Sequence, residues 1–182
     1  MSATRSLHYD LCVAGAKWLR SRKNCEWCEG RWKYVAVEVC VNGCENPDLW
    51  AFNGWSTIVV EVKVSRSDYL NDQKKRWHQP GREQTLAGNY RYYLTPKNLL
   101  TAAELPDGVG LLEWDGKQII RTIRAKRHEV SNHADGIIMA SILRREQFRE
   151  GIYNYRGQPT TIHPKTSMCG NDIFGSPEPD KF

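Results

Sequence analysis

The sequence predicts an α/β fold in which a small mixed sheet is flanked by helices. Apolar residues recur at helical spacing near the N-terminus, within Thr4–Arg22. Two valine-rich runs, Lys33–Val41 and Thr57–Val64, have the composition of β-strands. A polar helix start follows the second run at Ser65. Because helices and strands alternate without a regular strand–helix–strand repeat, we expect a mixed sheet rather than a fully parallel one.

The first helix and the first strand each carry a patterned face. The apolar face of the predicted helix consists of Leu7, Leu11, Ala14 and Trp18. His8 lies beside that face and is interpreted as an ordinary surface or core histidine. In the first strand, alternation places the acid Glu38 on the same face as Tyr34, Ala36 and Cys40, and it places the valines, Val39 among them, on the opposite face.

The second predicted strand, Pro47–Phe52, leads through a turn at Asn53–Gly54 into the third. The near-continuous apolar character of the third strand predicts burial on both of its faces, in the centre of the sheet. The later elements are expected to be a helix from Ser65 to about Trp77, strands at Tyr90–Leu94, Val109–Trp114 and Gln118–Ile123, and a helix from Ser131 to about Arg149. The expected buried side of that last helix is Ile137, Ile138, Ile142 and Phe148. We expect residues 1–150 to form the domain and residues 151–182 to form an irregular tail.

The composition is that of one soluble globular domain. The 182 residues are 40% hydrophobic and 26% charged, which suffices for a core. No apolar run is long enough to cross a bilayer, and residues 1–8 lack the apolar stretch of a secretory signal. We therefore expect a cytoplasmic protein with no membrane partner. The net charge of +5 suits a polyanionic partner, although many basic domains bind no nucleic acid.

The six cysteines leave a zinc site open. A reducing cytosol disfavours disulfides. Two closely spaced pairs have the arrangement that closes a tetrahedral zinc site: Cys25 with Cys28, and Cys40 with Cys44. The competing interpretation is that Cys40 packs as a small hydrophobic residue on its strand.

A candidate metal site is centred on Glu61-Val62-Lys63. Glu61 and Lys63 are two apart on a strand, so their side chains leave the same face. Asp48 lies at the start of the neighbouring strand, and a hairpin would bring it to Glu61. Converging carboxylates, with the Val62 carbonyl and a contribution from Glu38, suit Mg²⁺ or Mn²⁺. Lys63 is then expected to orient the attacking water, or to neutralise transition-state charge, in phosphodiester hydrolysis.

The Glu-Val-Lys triplet alone says little, because Glu and Lys alternate on many solvated strands. Here the triplet ends a strand predicted to be central, where charges are costly unless they are paired or metal-bound. A Pro47-Asp48 pair also lies upstream at a distance that suits an adjacent strand. The metal-site interpretation depends on these two features together.

The ordered motifs resemble those of the PD-(D/E)XK nuclease superfamily. They are Pro47-Asp48, Glu61-Val62-Lys63-Val64-Ser65-Arg66-Ser67-Asp68-Tyr69, Asp72-Gln73-Lys74-Lys75, Tyr90-Arg91-Tyr92-Tyr93-Leu94 and Leu105-Pro106-Asp107-Gly108-Val109-Gly110-Leu111-Leu112. They are similar to the MmcB-like DNA-repair branch and to related phage and bacterial proteins. The resemblance spans Glu38 to Trp114. Cys25–Trp32 and the chain after Trp114 lie outside it, and His78–Thr85 resembles an insertion.

The resemblance implies a restriction-endonuclease-like core of helix, three strands, helix and strand. It implies that Asp48 and Glu61 bind the metal, that Lys63 is the catalytic lysine and that Glu38 is an auxiliary acid. The expected function is a Mg²⁺- or Mn²⁺-dependent endonuclease acting on DNA, in repair or in phage DNA metabolism. One alternative is a DNA- or partner-binding module on a nuclease fold that does not cleave, and another is a zinc-organised interaction protein.

Candidate DNA contacts follow the metal site in the sequence. Ser65, Arg66 and Ser67 suit a phosphate held at a helix start, although a serine cap followed by an acid explains the same composition. Lys74 and Lys75 belong to a basic cluster that either contacts phosphates or forms a solvated helix face. No pattern indicates base-specific readout, so we expect recognition of the DNA backbone and shape, with a homodimer left open.

Overall fold

The computed structural model describes residues 6–21, 32–75, 81, 86–129, 132–145, 152–153 and 159–160. The chain divides into two compact units, Met1–Ile142 and Leu143–Phe182. In the second unit the strands Ile152–Tyr153 and Pro159–Thr160 pair antiparallel, within the segment for which the sequence predicts an irregular tail. Within the described ranges, every helix is too short or too polar to cross a lipid bilayer.

The first unit is built on a six-stranded mixed sheet. Its strands, in both chain order and spatial order, are β1 (Tyr34–Val37), β2 (Leu49–Phe52), β3 (Thr57–Val62), β4 (Tyr90–Pro96), β5 (Gly110–Trp114) and β6 (Ile119–Ile123). The first three strands form an antiparallel meander, β3 to β5 run parallel, and β5 and β6 form a hairpin. The predicted α/β class with a small mixed sheet is confirmed.

Among the residues that the structure describes, three helices accompany the sheet: α1 (Leu7–Arg20), α2 (Arg66–Asp72) and α3 (Asn132–Arg145). A short 3₁₀ turn, Ala102–Glu104, lies between β4 and β5. All six residues of β3 are buried, which confirms the prediction of a central strand. The strand is covered by apolar side chains on both faces, so any charged group at its end is placed in a desolvated environment.

Helix α1 packs closely on the sheet because a glycine faces it. Ser6 caps the helix with its hydroxyl. The helix buries Leu11, Cys12, Gly15 and Leu19. A Cβ atom added at Gly15 would lie 2.5 Å from Leu49 Cδ1 and 3.0 Å from Leu94 Cδ2. The missing side chain therefore lets the helix approach the ends of β2 and β4.

The first strand ends earlier than the sequence predicts. β1 stops at Val37 because Glu38 has a left-handed φ of 49°, a conformation that residues with a Cβ atom rarely adopt. Ala36 and Val39 consequently pack in the same apolar cluster. The prediction that strict alternation puts these two residues on opposite faces is wrong, since the backbone turns between them.

A buried acid fastens α3 to the sheet face opposite α1. Asp135 accepts hydrogen bonds from the Trp50 indole at 2.7 Å and from the Thr57 hydroxyl at 2.9 Å. Three of the residues predicted to form the buried side of this helix pack there: Ile137, Ile138 and Ile142. The fourth, Phe148, lies outside the described residues. Sequence reasoning did not find the role of Asp135, because its partners are about 47 to 85 positions distant.

Candidate metal and active site

The predicted hairpin between the second and third strands is present and brings Asp48 to the end of β3. Leu49 pairs with Val60 in antiparallel register. Asp48, one residue before β2, therefore lies opposite Glu61. The Asp48 carboxylate accepts a hydrogen bond from the Val62 amide at 2.8 Å. The β3 backbone thus holds the Asp48 side chain beside Glu61.

Lys63 is buried between two acids. Its Nζ lies 3.1 Å from Glu61 Oε2 and 3.1 Å from Asp72 Oδ1. Glu61 is 8% exposed, and Lys63 and Asp72 are each 2% exposed. Three charged side chains at a desolvated strand end are costly unless each is compensated, so this arrangement is not that of a solvated strand face.

Asp72 is a site residue that sequence reasoning missed. Ser65 caps α2, and Tyr69 and Asp72 form its buried side, three residues apart. The Tyr93 hydroxyl of β4 donates to Asp72 Oδ2 at 3.2 Å, and the Gln73 side chain donates to that hydroxyl at 2.7 Å. The available signal was this helical spacing, which places Asp72 beneath the helix and facing the sheet.

The electrostatics of the site follow from burial and from the crowding of carboxylates. Burial, and then the charge of Asp48, raises the pKa of Glu61 to about 7. Burial also raises the pKa of Asp48, although the Val62 amide and Lys63 oppose that shift. For Lys63, burial lowers the pKa, but Glu61, Asp72 and Asp48 together outweigh burial and raise it. Lys63 is therefore a cation at neutral pH, and it is shared by three acids.

The donor set fits a hard divalent cation. Asp48 and Glu61 present carboxylate oxygens at one strand end, and their mutual repulsion contributes to the raised pKa of Glu61. Mg²⁺ and Mn²⁺ prefer oxygen ligands, and carboxylates that repel each other in a desolvated place are a usual setting for such an ion. A bound metal ion would offset the repulsion between Asp48 and Glu61. Lys63 alone does not offset it, since the pKa of both acids is still raised.

The first turns of α1 add two side chains that sequence reasoning did not place here. His8 Nε2 lies 3.6 Å from Asp48 Oδ1, so the interpretation of His8 as an ordinary histidine missed this contact. Burial, and then the charges of Asp48, Glu38 and Glu61, raises the pKa of the Cys12 thiol to about 12. Three acids therefore act on one buried thiol: Glu38 after β1, Asp48 before β2 and Glu61 in β3. Glu38 follows β1 and is exposed, and its carboxylate lies within 4.8 Å of the ligand atoms of His8 and Cys12 on α1.

Three of the predicted DNA-contacting residues, Ser65, Arg66 and Ser67, already have partners within the chain. Ser65 Oγ accepts from the Asp68 amide at 3.1 Å, as a helix cap does, and lies 2.9 Å from Ser67 Oγ. Arg66 forms an ion pair with Glu104. The capping interpretation of Ser65 is therefore realised, and phosphate binding by this segment stays a prediction.

The basic residues at the end of α2 lie at the rim of the site. Lys75 Nζ is 2.8 Å from Asp72 Oδ1, while its side chain is 50% exposed. Lys74 is exposed. The Lys75 ammonium therefore contacts both the buried Asp72 and the solvent.

The cysteines predicted as zinc ligands fall in different settings. Cys40 is exposed. Cys44 is buried, and its thiol donates to the Glu45 carbonyl oxygen at 3.5 Å, an interaction of a packed thiol. Cys25 and Cys28 lie outside the described residues, so a four-cysteine zinc site stays a prediction.

No protein-family model and no curated protein matches the chain. Among solved structures, the chain is similar to SPO1766, a protein of unknown function from Silicibacter pomeroyi, with 19% sequence identity and a TM-score of 0.46. The match covers 62% of this chain and 76% of that chain.

Proposed function

We propose that this chain is a Mg²⁺- or Mn²⁺-dependent endonuclease that hydrolyses phosphodiester bonds in DNA, in repair or in phage DNA metabolism. The observation that carries the proposal is a cluster at one end of the central strand, formed by the buried Glu61 and Lys63 and the half-buried Asp48. The element order α1, β1, β2, β3, α2, β4 supports a restriction-endonuclease-like core, which we propose with it.

Asp48 and Glu61 are the proposed cation ligands, together with the Val62 carbonyl, and Glu38 is the auxiliary acid. When bound, the cation supplies Lewis-acid polarisation of the phosphoryl oxygen and lowers the pKa of water. The Val62 amide holds the Asp48 carboxylate in place by a hydrogen bond of 2.8 Å. The protein contributes a rigid pair of acids, since both are anchored to the same pair of strands.

Lys63 acts as a fixed positive charge and not as a base. Its pKa is raised because the neighbouring acids outweigh burial, so the ammonium keeps its proton at neutral pH. Of the two roles predicted for this residue, stabilisation of negative charge on the phosphoryl group fits a cation directly. Asp72 and Glu61 each lie 3.1 Å from the ammonium and hold it in position.

DNA is the proposed partner through its phosphates. Lys75 is half-exposed beside the buried acids, and Lys74 is the exposed residue next to it. Phosphate contacts of this kind orient DNA without reading bases. Affinity is expected to fall steeply with salt concentration, because each neutralised phosphate releases counterions.

The alternative is a DNA- or partner-binding module that does not cleave. One observation favours it: Lys63 Nζ lies 3.1 Å from Glu61 Oε2, so this acid has a partner of opposite charge without any metal ion. Under this alternative the buried pair stabilises the fold, and divalent cations leave stability unchanged.

The proposal is tested by incubating the full chain with circular, linear, branched and single-stranded DNA in the presence of Mg²⁺ or Mn²⁺. We expect cleavage of at least one substrate, including the circular one, and no cleavage with a chelator. An Asp48→Asn chain serves as the comparison. Cleavage at equal rate by both chains would overturn the site assignment. Salt-sensitive DNA binding without any cleavage would favour the alternative.

A further inference from the structure

A second group of metal-ligating side chains lies where α1 meets the turn after β1. His8 and Cys12 are four residues apart on one face of α1. His8 Nε2 or Nδ1, Cys12 Sγ and a Glu38 carboxylate oxygen all lie within 4.8 Å of one another. These three ligand atoms come from two chain segments, so tertiary packing and not local spacing brings them together.

The backbone of Glu38 is an independent sign of a built site. Its φ of 49° is unusual for a residue with a Cβ atom, and such strain persists only where the surrounding structure maintains it. The Glu38 amide donates to the Asp48 carbonyl oxygen at 2.8 Å and pins the turn. The turn places the carboxylate against His8 and Cys12.

We propose that His8, Cys12 and Glu38 form a site for a borderline-soft divalent cation of the Zn²⁺ class. A thiolate and an imidazole select Zn²⁺ or Co²⁺, whereas Mg²⁺ and Ca²⁺ prefer an all-oxygen set. On ligation, the Cys12 thiol proton leaves to solvent as the sulfur takes the cation. Three protein ligands would leave room for a water or a further ligand on the ion. Asp48 neighbours the group, because its Oδ1 lies 3.6 Å from His8 Nε2.

This site adjoins the one proposed for the hard cation and shares Glu38 with it. It uses the nitrogen of His8 and the sulfur of Cys12 in place of Asp48 and Glu61. It does not depend on nuclease activity, because the prediction concerns metal binding by ligand chemistry. A protein that cleaves no DNA can still have this site, and a nuclease can lack it.

Cobalt(II) is the probe, because a Co²⁺–thiolate bond gives a ligand-to-metal charge-transfer absorption band that oxygen and nitrogen ligands do not give. The titration uses the full chain carrying Cys25→Ser and Cys28→Ser, so that these two cysteines do not contribute. We expect a band that saturates at one Co²⁺ per chain and is displaced by Zn²⁺. Cys12→Ala is expected to abolish it, and Cys40→Ala, which removes an exposed thiol, is expected to preserve it.

A second variant keeps the test decisive if Cys12→Ala impairs folding. His8 is about one-third exposed, and His8→Ala is expected to weaken Co²⁺ binding at least tenfold while leaving the circular dichroism spectrum unchanged. Absence of a charge-transfer band would overturn the proposal. A band that survives Cys12→Ala in folded protein, or is lost in Cys40→Ala, would also overturn it.

Discussion

Replacement of Lys63 by Met is expected to slow DNA cleavage strongly and to destabilise the fold. The side chain keeps its length but loses the charge shared by Glu61 and Asp72, each 3.1 Å away. Removing one partner of a buried ion pair costs about 3–5 kcal/mol, because the remaining charges are left uncompensated. Loss of a preorganised charge at the reacting group is expected to lower the cleavage rate by about 10²- to 10³-fold.

Two control variants separate these effects. Lys75→Met removes the other lysine on Asp72, but this side chain is 50% exposed, so the free energy of unfolding should fall by only about 0–1 kcal/mol. Lys117→Met removes an exposed charge in the turn between β5 and β6 and should leave cleavage unchanged.

A double variant distinguishes a catalytic role of Lys63 from a structural one. Asp72→Asn combined with Lys63→Met removes both members of the other ion pair of this lysine and leaves the proposed cation ligands in place. It should regain part of the lost stability, since one uncompensated charge is gone. It should regain no cleavage. Chemical denaturation and cleavage rates measured on the same preparations check both. Cleavage at the native rate by folded Lys63→Met would contradict the role assigned to this lysine.

The metal-free native protein is expected to lose stability as the pH rises, because Glu61 must then ionise in a buried place. Glu61→Gln, which cannot ionise, is expected to lack this loss. The pKa of Glu61 is raised from 4.5 to about 7 in the folded state, chiefly by burial. Between these values the folded state holds a proton that the unfolded state has released. The contribution of Glu61 is therefore fully present below pH 4.5 and is lost as the pH rises to about 7. The size of the effect is about 3 kcal/mol.

The measurement is denaturant unfolding from pH 5 to pH 8 with a chelator present, for the native chain and for Glu61→Gln. We expect the native chain to lose stability relative to the variant over this range. Glu104→Gln is the matched control: its hydrogen bond with Arg66 lowers the pKa of Glu104 to about 2, so its contribution changes little above pH 5. Parallel pH profiles for the native chain and Glu61→Gln would contradict the account of a desolvated, repelled acid.

The sequence predicts those parts of the site that depend on local pattern. The apolar run of β3 shows that Glu61 and Lys63 end a buried strand, and the turn after Phe52 shows that Asp48 returns beside them. The Ser65 cap also follows from local chemistry, because a serine oxygen satisfies a free amide at the helix start.

The parts that were missed depend on packing between distant segments. Asp72 reaches Lys63 only because α2 lies over Tyr93 of β4. His8 reaches Asp48 from a distant segment of the chain, the helix α1. The sequence predicts a regular strand through Glu38, because the alternation of its residues does not indicate the positive φ that this residue adopts. Tertiary constraints of this kind have no periodic signal in a single sequence.

The central claim is that Asp48 and Glu61 bind a hard divalent cation, and it is tested most directly by the effect of Mg²⁺ on stability. For the native chain we expect the unfolding temperature to rise with Mg²⁺ concentration. At a hundred times the Kd, the free energy of unfolding should be greater by about 2.7 kcal/mol. Asp48→Asn keeps an oxygen that accepts from the Val62 amide but removes the charge, and it should lose this rise. Asp10→Asn, an exposed residue on α1, should retain it. An unfolding temperature of the native chain that is independent of Mg²⁺, or an equal rise in Asp48→Asn, would contradict the claim.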